Sequence, residues 1–267
     1  MKHVPRKRFG QHFLVDPAVI AAIVEAIAPQ RDDILVEIGP GLGALTRPLL
    51  ARVNRLAVIE LDRNIVERLQ REFAARIEVH SGDALNFDFS VFASGFRVAG
   101  NLPYIISTPL LFHLLPYERR IRDLHFMLQK EVVERMVAAP STPAYGRLSV
   151  MLQLHFTMEN LFAVPAGAFD PPPKVESAVV RMRPLAAPPE DFDEAVFSEV
   201  VMAAFGQRRK TLRNSLGKLF TEPANVVAEL ERLGVDPGLR AENLGVADYL
   251  RIAAGISSRR SSSQASR

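Results

Sequence analysis

The sequence predicts an α/β fold: a mostly parallel seven-stranded sheet with an antiparallel strand at its edge, followed by a small all-helical part. Three observations carry this. Short β-rich runs alternate with stretches of helical periodicity through the first two thirds of the chain, which is the pattern of βαβ units. The run Pro171-Pro172-Pro173 and three more prolines within residues 184–190 interrupt that alternation. Beyond them the periodicity is helical only. A chain of 267 residues, 48% of them hydrophobic, can bury one large core with a smaller one attached.

The elements follow in order. Asp16-Pro17 supplies a capping acid and a first-turn proline for a helix over 18–27. Strands are expected at 34–38, 55–60, 76–80 and 96–99, with helices near 43–52 and from Arg63 between them. A helix near 108–115, a strand over 123–128 and helices near 130–138 and 145–155 continue the series. Residues 161–164 and 175–183 have strand composition and suit an antiparallel hairpin at the sheet edge. Helices near 192–219, 223–233 and 246–254 complete the chain. The expected domains are therefore 1–184, α/β, and 191–256, helical. The Ser- and Arg-rich residues 257–267 read as a disordered tail with no assigned function. No internal repeat of 20–50 residues is evident.

Composition narrows the function classes. With no cysteine, disulfides, thiolate nucleophiles and cysteine-bound metal are excluded. The six histidines lack metal-ligand spacing. Neither a secretory leader nor a stretch of eighteen uncharged apolar residues is seen, so a cytoplasmic location without membrane contact is expected. The net charge is only +3, yet Lys2, Arg6, Lys7 and Arg8 precede any acid, and Arg208, Arg209, Lys210, Arg213 and Lys218 form a second acid-free cluster. Two basic clusters flanking an α/β domain suggest a polyanion partner.

Glu37-Ile38-Gly39-Pro40-Gly41-Leu42-Gly43 follows the first sheet strand and leads into a helix, where glycine lets backbone approach a nucleotide-like ligand. The pattern is G-x-G-x-G preceded by an acid, whereas a pyrophosphate fingerprint is G-x-G-x-x-G. S-adenosylmethionine carries a sulfonium and an ammonium and no phosphate, so a nearby carboxylate suits it. That favours a Rossmann-like methyltransferase over a nicotinamide-dependent dehydrogenase. Glu60, 21 residues after Gly39 at the end of the next strand, is placed to accept the ribose hydroxyls, with Asp62 as the alternative. Asp83, after the third strand, is placed to accept the adenine amine of the cofactor, although it could also cap the following turn.

Gly100-Asn101-Leu102-Pro103-Tyr104 is the most specific chemical signal. An exocyclic amine on adenine is a poor nucleophile because its lone pair is delocalised into the ring. The Asn101 side-chain oxygen and the Leu102 carbonyl, which precedes proline, can accept its two N–H groups and favour a tetrahedral nitrogen. Tyr104 offers a face for the target base, a contact worth roughly 1–3 kcal/mol. Phe169, before the proline run, is a candidate second wall of the same pocket.

Together these segments resemble the ribosomal RNA adenine dimethyltransferases, along nearly the whole chain. The resemblance rests on residues 6–14, 36–43, 58–62, 100–104, 145–149, 169–175 and 207–214. It implies a class I methyltransferase domain and dimethylation of two neighbouring adenines in a hairpin loop near the 3′ end of 16S ribosomal RNA, within an immature small subunit, as part of ribosome biogenesis. It further implies that His12, Leu14, Gly39, Glu60, Asp83 and Asn101 line the S-adenosylmethionine site, that the helical end helps hold RNA, and that the protein acts as a monomer. In two places the chain departs from the family, which commonly has Asn where His12 and Ile105 stand.

Overall fold

The computed structural model describes residues 12–187, 189, 192–220 and 225–265. The basic residues expected before position 12 lie outside this range. Contacts divide the chain into one unit of Met1–Val133 with Thr157–Pro184 and another of Glu134–Phe156 with Leu185–Arg267. Residues 134–156, assigned to the α/β part on sequence, thus group with the helical unit. The Tyr145 hydroxyl donates to the Leu244 carbonyl at 2.9 Å, and the Ser141 amide donates to the Glu242 carbonyl at 2.7 Å.

In the first unit the elements are β1 (Phe13–Leu14), α1 (Pro17–Ile27), β2 (Leu35–Ile38), α2 (Thr46–Leu50), β3 (Leu56–Glu60), α3 (Arg63–Phe73), β4 (Ile77–Ser81), β5 (Phe96–Asn101), α4 (Tyr104–His113) and β6 (Ile121–Gln129). After β6 the chain passes through α5 (Lys130–Val137) and, within the second unit, α6 (Arg147–Gln153), and the first unit is completed by β7 (Phe156–Val164), β8 (Phe169–Asp170) and β9 (Ser177–Pro184). Helix α1 starts as its sequence demands: the Asp16 carboxylate accepts the amides of Ala18 and Val19, and Pro17 occupies the first turn. Asp62 caps α3 in the same way through the Asn64 amide.

The seven-stranded sheet has the order β4-β3-β2-β5-β6-β9-β7. Strands β2 and β3 are buried at every position, as parallel strands covered on both faces must be. From β2 the chain builds outward to β4 on one side, then returns to lay β5 and β6 on the other. The carboxyl ends of β2 and β5 therefore flank a crevice, the place where open α/β sheets bind ligands.

The antiparallel strand is β9, and it lies one position in from the edge, between β6 and β7. The outer strand is β7. Apolar burial explains the choice. Ala178, Val179, Val180 and Met182 on β9 are buried, whereas β7 exposes Thr157, Glu159 and Asn160 and tolerates a solvated edge. A second, two-stranded sheet pairs β1 with β8, matching Leu14 to Phe169, and was not expected from the sequence.

At the opposite end of β5 from the crevice, Arg97 is buried in a polar cluster. It bonds Asp33 at 2.7 Å, Asp123 at 2.9 Å and the carbonyls of Ile27 and Ala28. This joins the end of α1 to the sheet.

The helical unit holds α7 (Glu194–Gly206), α8 (Leu212–Ser215), α9 (Val226–Arg232) and α10 (Val246–Ala265). Its interior includes Phe197, Leu212, Leu230 and Tyr249, and the Tyr249 hydroxyl donates to the Ala241 carbonyl. The segment read as a disordered tail from 257 is instead the last part of α10, helical to Ala265. Ile256 is buried at its start, Arg259 pairs with Glu229, and Arg260 pairs with Glu199 at 2.8 Å. These contacts oppose the weak helical preference of the serines.

Candidate active site

A cavity of about 820 Å³ opens in the crevice between β2 and β5. Its lining includes His12, Leu14, Gly39, Glu60, Asp83, Asn101, Leu102, Tyr104 and Phe169, whereas Asp62, the alternative to Glu60, is not part of it. Glu37 lines it as well.

Two glycines shape its floor. Gly39 follows β2 with φ of +67°, a conformation that side chains disfavour, and its amide donates to the Ile59 carbonyl at 3.0 Å. This turns the loop across the end of β3. Gly100 meets a different constraint, because a Cβ there would lie 2.5 Å from the Ile38 carbonyl oxygen. The ends of β2 and β5 come together only because that atom is missing, and this close approach sets Asn101 beside the glycine loop.

Three carboxylates stand in the walls. Glu60 accepts the Asp62 amide at 2.9 Å and the Gly41 amide at 3.4 Å, so it braces the glycine loop. A carboxylate has about four acceptor positions, which leaves capacity for ligand hydroxyls. Burial raises the Glu60 pKa; the amides of Asp62, Gly41 and Leu61 pull it down, and the nearby Asp62 charge raises it again. Asp62 itself is committed to capping α3. Asp83 caps the turn Ala84–Asn86 through the Leu85 amide at 3.0 Å, and it also lines the cavity.

Glu37 is only 1% exposed and accepts a hydrogen bond from the Thr46 hydroxyl at 2.7 Å. Burial pushes its pKa up to about 7, against the lowering effect of Thr46 and with added repulsion from Glu60.

Asn101 ends β5, and its Nδ2 donates to the His12 carbonyl at 3.2 Å. Reversing the amide would set two oxygens against each other, so this bond assigns the nitrogen to His12 and leaves Oδ1 for a ligand. Leu102 is buried and donates its amide to the Met127 carbonyl at 3.2 Å, which ties the loop to β6. Pro103 then sets the start of α4, and Tyr104 is its first residue.

The Tyr104 ring stacks on His12 at 5.9 Å between centroids, and its hydroxyl shares a 2.8 Å hydrogen bond with Ser177. Burial raises the Tyr104 pKa, and the bond to Ser177 lowers it. The His12 ring also bonds the Pro171 carbonyl through Nδ1 at 2.8 Å. His12 thus joins the Asn101–Tyr104 loop to the proline run, a link its sequence position did not reveal.

Leu14 and Phe169 face each other across the small β1–β8 sheet and belong to the apolar core beneath the cavity. Sequence reasoning missed Ser177 and Leu61. Leu61 lines the cavity beside Glu60 and is 50% exposed, but a single exposed leucine gives no signal in a sequence. Ser177 is legible only through its tertiary partner. Among the described residues, no group of three or more metal-ligating side chains converges.

Comparison with known proteins agrees with this geometry. The profile of a family described as Ribosomal RNA adenine dimethylase matches residues 2–257. Ribosomal RNA small subunit methyltransferase A of Thiobacillus denitrificans is 61% identical over 96% of this chain and 100% of its own length. Among solved structures, a dimethyladenosine transferase from Plasmodium falciparum superposes with a TM-score of 0.79 at 26% identity, over 93% of this chain and 98% of its own. The 23S rRNA methyltransferase ErmE superposes with a TM-score of 0.69, also at 26% identity, over 92% of this chain and 99% of its own.

Proposed function

As the chain belongs to the ribosomal RNA adenine dimethylase family, we propose that it dimethylates the N6 amines of two adjacent adenines in a hairpin loop near the 3′ end of 16S ribosomal RNA. The enzyme is an rRNA adenine dimethyltransferase. Its substrate on this reading is the RNA of an immature small subunit, the methyl donor is S-adenosylmethionine, and the protein acts as a cytoplasmic monomer. The observation that carries the reading is Asn101, whose amide is fixed by the His12 carbonyl next to Pro103 and Tyr104 in the cavity wall.

The residues present fit that donor. A cavity of about 820 Å³ is of the size that takes a nucleoside-like ligand with further room for a base. Its wall presents Glu37, Glu60 and Asp83, which suit a cationic ligand bearing ribose hydroxyls and an adenine amine. Gly39 and its neighbours bring backbone close, and Leu61 offers an apolar contact for a ring. When bound, the donor supplies an electrophilic methyl group on a good leaving sulfur.

The chain supplies position. Asn101 Oδ1 and the Leu102 carbonyl accept the two N–H groups of the target amine, drawing its lone pair out of the ring plane and toward the methyl. Tyr104 holds the base by its face, and the buried Phe169 closes the apolar side. Holding both reactants in line can contribute several kcal/mol to the barrier reduction without acid–base chemistry.

RNA binding draws on the helical unit. Arg208 pairs with Glu242 at 2.8 Å and donates to the Pro143 carbonyl, so it is partly structural. Arg209, Lys210, Arg213 and Lys218 are exposed and suited to phosphate contacts.

The test is subunit selectivity. Purified protein is incubated with methyl-labelled S-adenosylmethionine and with unmodified small or large ribosomal subunits. Label in small-subunit RNA alone supports the reading, and label confined to large-subunit RNA refutes it.

A further inference from the structure

We propose that Ser177 is a positioning residue for methyl transfer, holding the Tyr104 ring at the angle at which a stacked adenine presents its amine to Asn101. This rests on the function proposed above. The two hydroxyls are 2.8 Å apart although 73 residues separate them in the chain. Ser177 is fully buried, whereas Tyr104 is half-buried and lines the cavity. A buried hydroxyl is retained where it has a partner, and here that partner is the ring that receives the base.

The anchor is itself rigid. Ser177 is the first residue of β9, in register with Gln129, the last of β6. Immediately before it, the Lys130 amide donates to the Glu176 carbonyl at 3.0 Å, and the Lys130 ammonium pairs with the Glu176 carboxylate at 2.8 Å. The far end of the same segment is held too, since the Pro171 carbonyl bonds His12 Nδ1 at 2.8 Å. His12 in turn holds the Asn101 amide and stacks on Tyr104. Residues 171–177 therefore grip the target-base pocket at both ends: at Pro171 through His12, and at Ser177 through the tyrosine hydroxyl.

Without the hydroxyl bond, Tyr104 keeps its stacking face but gains freedom about its side-chain torsions. The base still binds, and its amine spends less time in line. The chemical step should suffer and RNA affinity should not, because the wider RNA surface is untouched.

The experiment is a double-mutant cycle on the full chain, with unmodified small subunits as substrate and Ser177→Ala, Tyr104→Phe and the double variant compared with wild type. Each single change should lower kcat by about tenfold, as expected for one hydrogen bond, with KM for the subunit within about twofold. The double variant should be no slower than either single one. S-adenosylmethionine affinity should match wild type throughout. Additive losses, or an unchanged kcat in either single variant, would overturn the proposal. If Ser177→Ala fails to fold, Tyr104→Phe decides alone, since it removes only the hydroxyl from a half-buried ring: a wild-type kcat overturns the proposal and a tenfold loss at unchanged KM upholds it. Wild-type protein inactive on small subunits would instead overturn the parent function, and this inference with it.

Discussion

The Asn101 side chain donates from Nδ2 to the backbone carbonyl of His12, 3.2 Å away and 89 residues distant in the chain. One of the two Nδ2 hydrogens is thereby engaged, and Oδ1 remains available as an acceptor. The bond orients the amide, so that Oδ1 is the atom left to accept an amine hydrogen.

Asn101→Ala should therefore abolish most methyl transfer, lowering kcat by roughly 10²–10³-fold, the scale of a lost transition-state hydrogen bond. Cofactor binding should weaken only modestly, because Glu37, Glu60 and the glycine loop remain. Single-turnover rates together with calorimetric titration of S-adenosylmethionine separate the two effects. Turnover near wild type would remove Asn101 from the chemistry.

Glu37 should make S-adenosylmethionine binding depend on pH. With a pKa of about 7 it holds a proton over much of the acid range, whereas a cationic ligand nearby favours the carboxylate. Affinity for S-adenosylmethionine should rise with pH up to about 7 and level off above it, with proton release on binding. In Glu37→Gln that slope should vanish. For folding stability the sign is opposite. A carboxyl whose folded pKa lies above its ordinary value of 4.5 favours the folded state at low pH, and that contribution is lost as pH rises toward 7. Titrations in buffers of different ionisation enthalpy count the protons.

Arg97 holds two carboxyls in their charged form. Burial alone would raise the pKa of Asp33 and Asp123. The Gln30 amide, Arg97 and Arg122 outweigh it at Asp33, and His125 and Arg97 at Asp123, so both carboxyls titrate below the usual carboxylate range. A lowered folded pKa stabilises the protein above the ordinary carboxylate range and is lost as pH falls through the lowered value. Arg97→Met should take the shared cation from Asp33 and Asp123, leaving Asp33 with Arg122 and the Gln30 amide and Asp123 with His125, cost about 3 kcal/mol at neutral pH and narrow the stable range on the acid side. Urea unfolding at several pH values measures both.

The exposed cations of the helical unit should govern the salt dependence of RNA binding. Replacing Arg209, Lys210 and Arg213 by alanine should reduce the slope of log affinity against log salt by about 2–3, or somewhat under one per lost phosphate contact. An unchanged slope would place the RNA elsewhere. Arg208→Ala should also lower thermal stability, because its partners are Glu242 and the Pro143 carbonyl.

Much of this arrangement was legible in the sequence because it depends on local chemistry. Glycines at the end of β2, acids at the ends of β3 and β4, and Asn-Leu-Pro-Tyr after β5 each mark their place within a few residues of their strand. What stayed hidden depends on distant partners. Strand periodicity cannot say that β9 inserts between β6 and β7, since that order follows from which strand has more apolar surface to bury. His12 looked like a contact for the cofactor, and only the fold shows it bound to Pro171, Asn101 and Tyr104 at once. Residues 257–265 are rich in serine and arginine, and their helix depends on Glu199 and Glu229, each tens of residues away. Residues 134–156 carry ordinary α/β periodicity, while their grouping with the helical unit rests on partners such as Leu244.

The most direct test of the central claim is chemical mapping of the product. Unmodified small subunits are treated with the protein and S-adenosylmethionine, the 16S RNA is digested to nucleosides and short fragments, and the methylated positions are identified by mass spectrometry. The expected result is N6,N6-dimethyladenosine at two adjacent positions of one hairpin loop near the 3′ end, absent when Asn101→Ala replaces wild type. Methylation of a ring nitrogen, of another base, or of adenines scattered through the RNA would contradict the account.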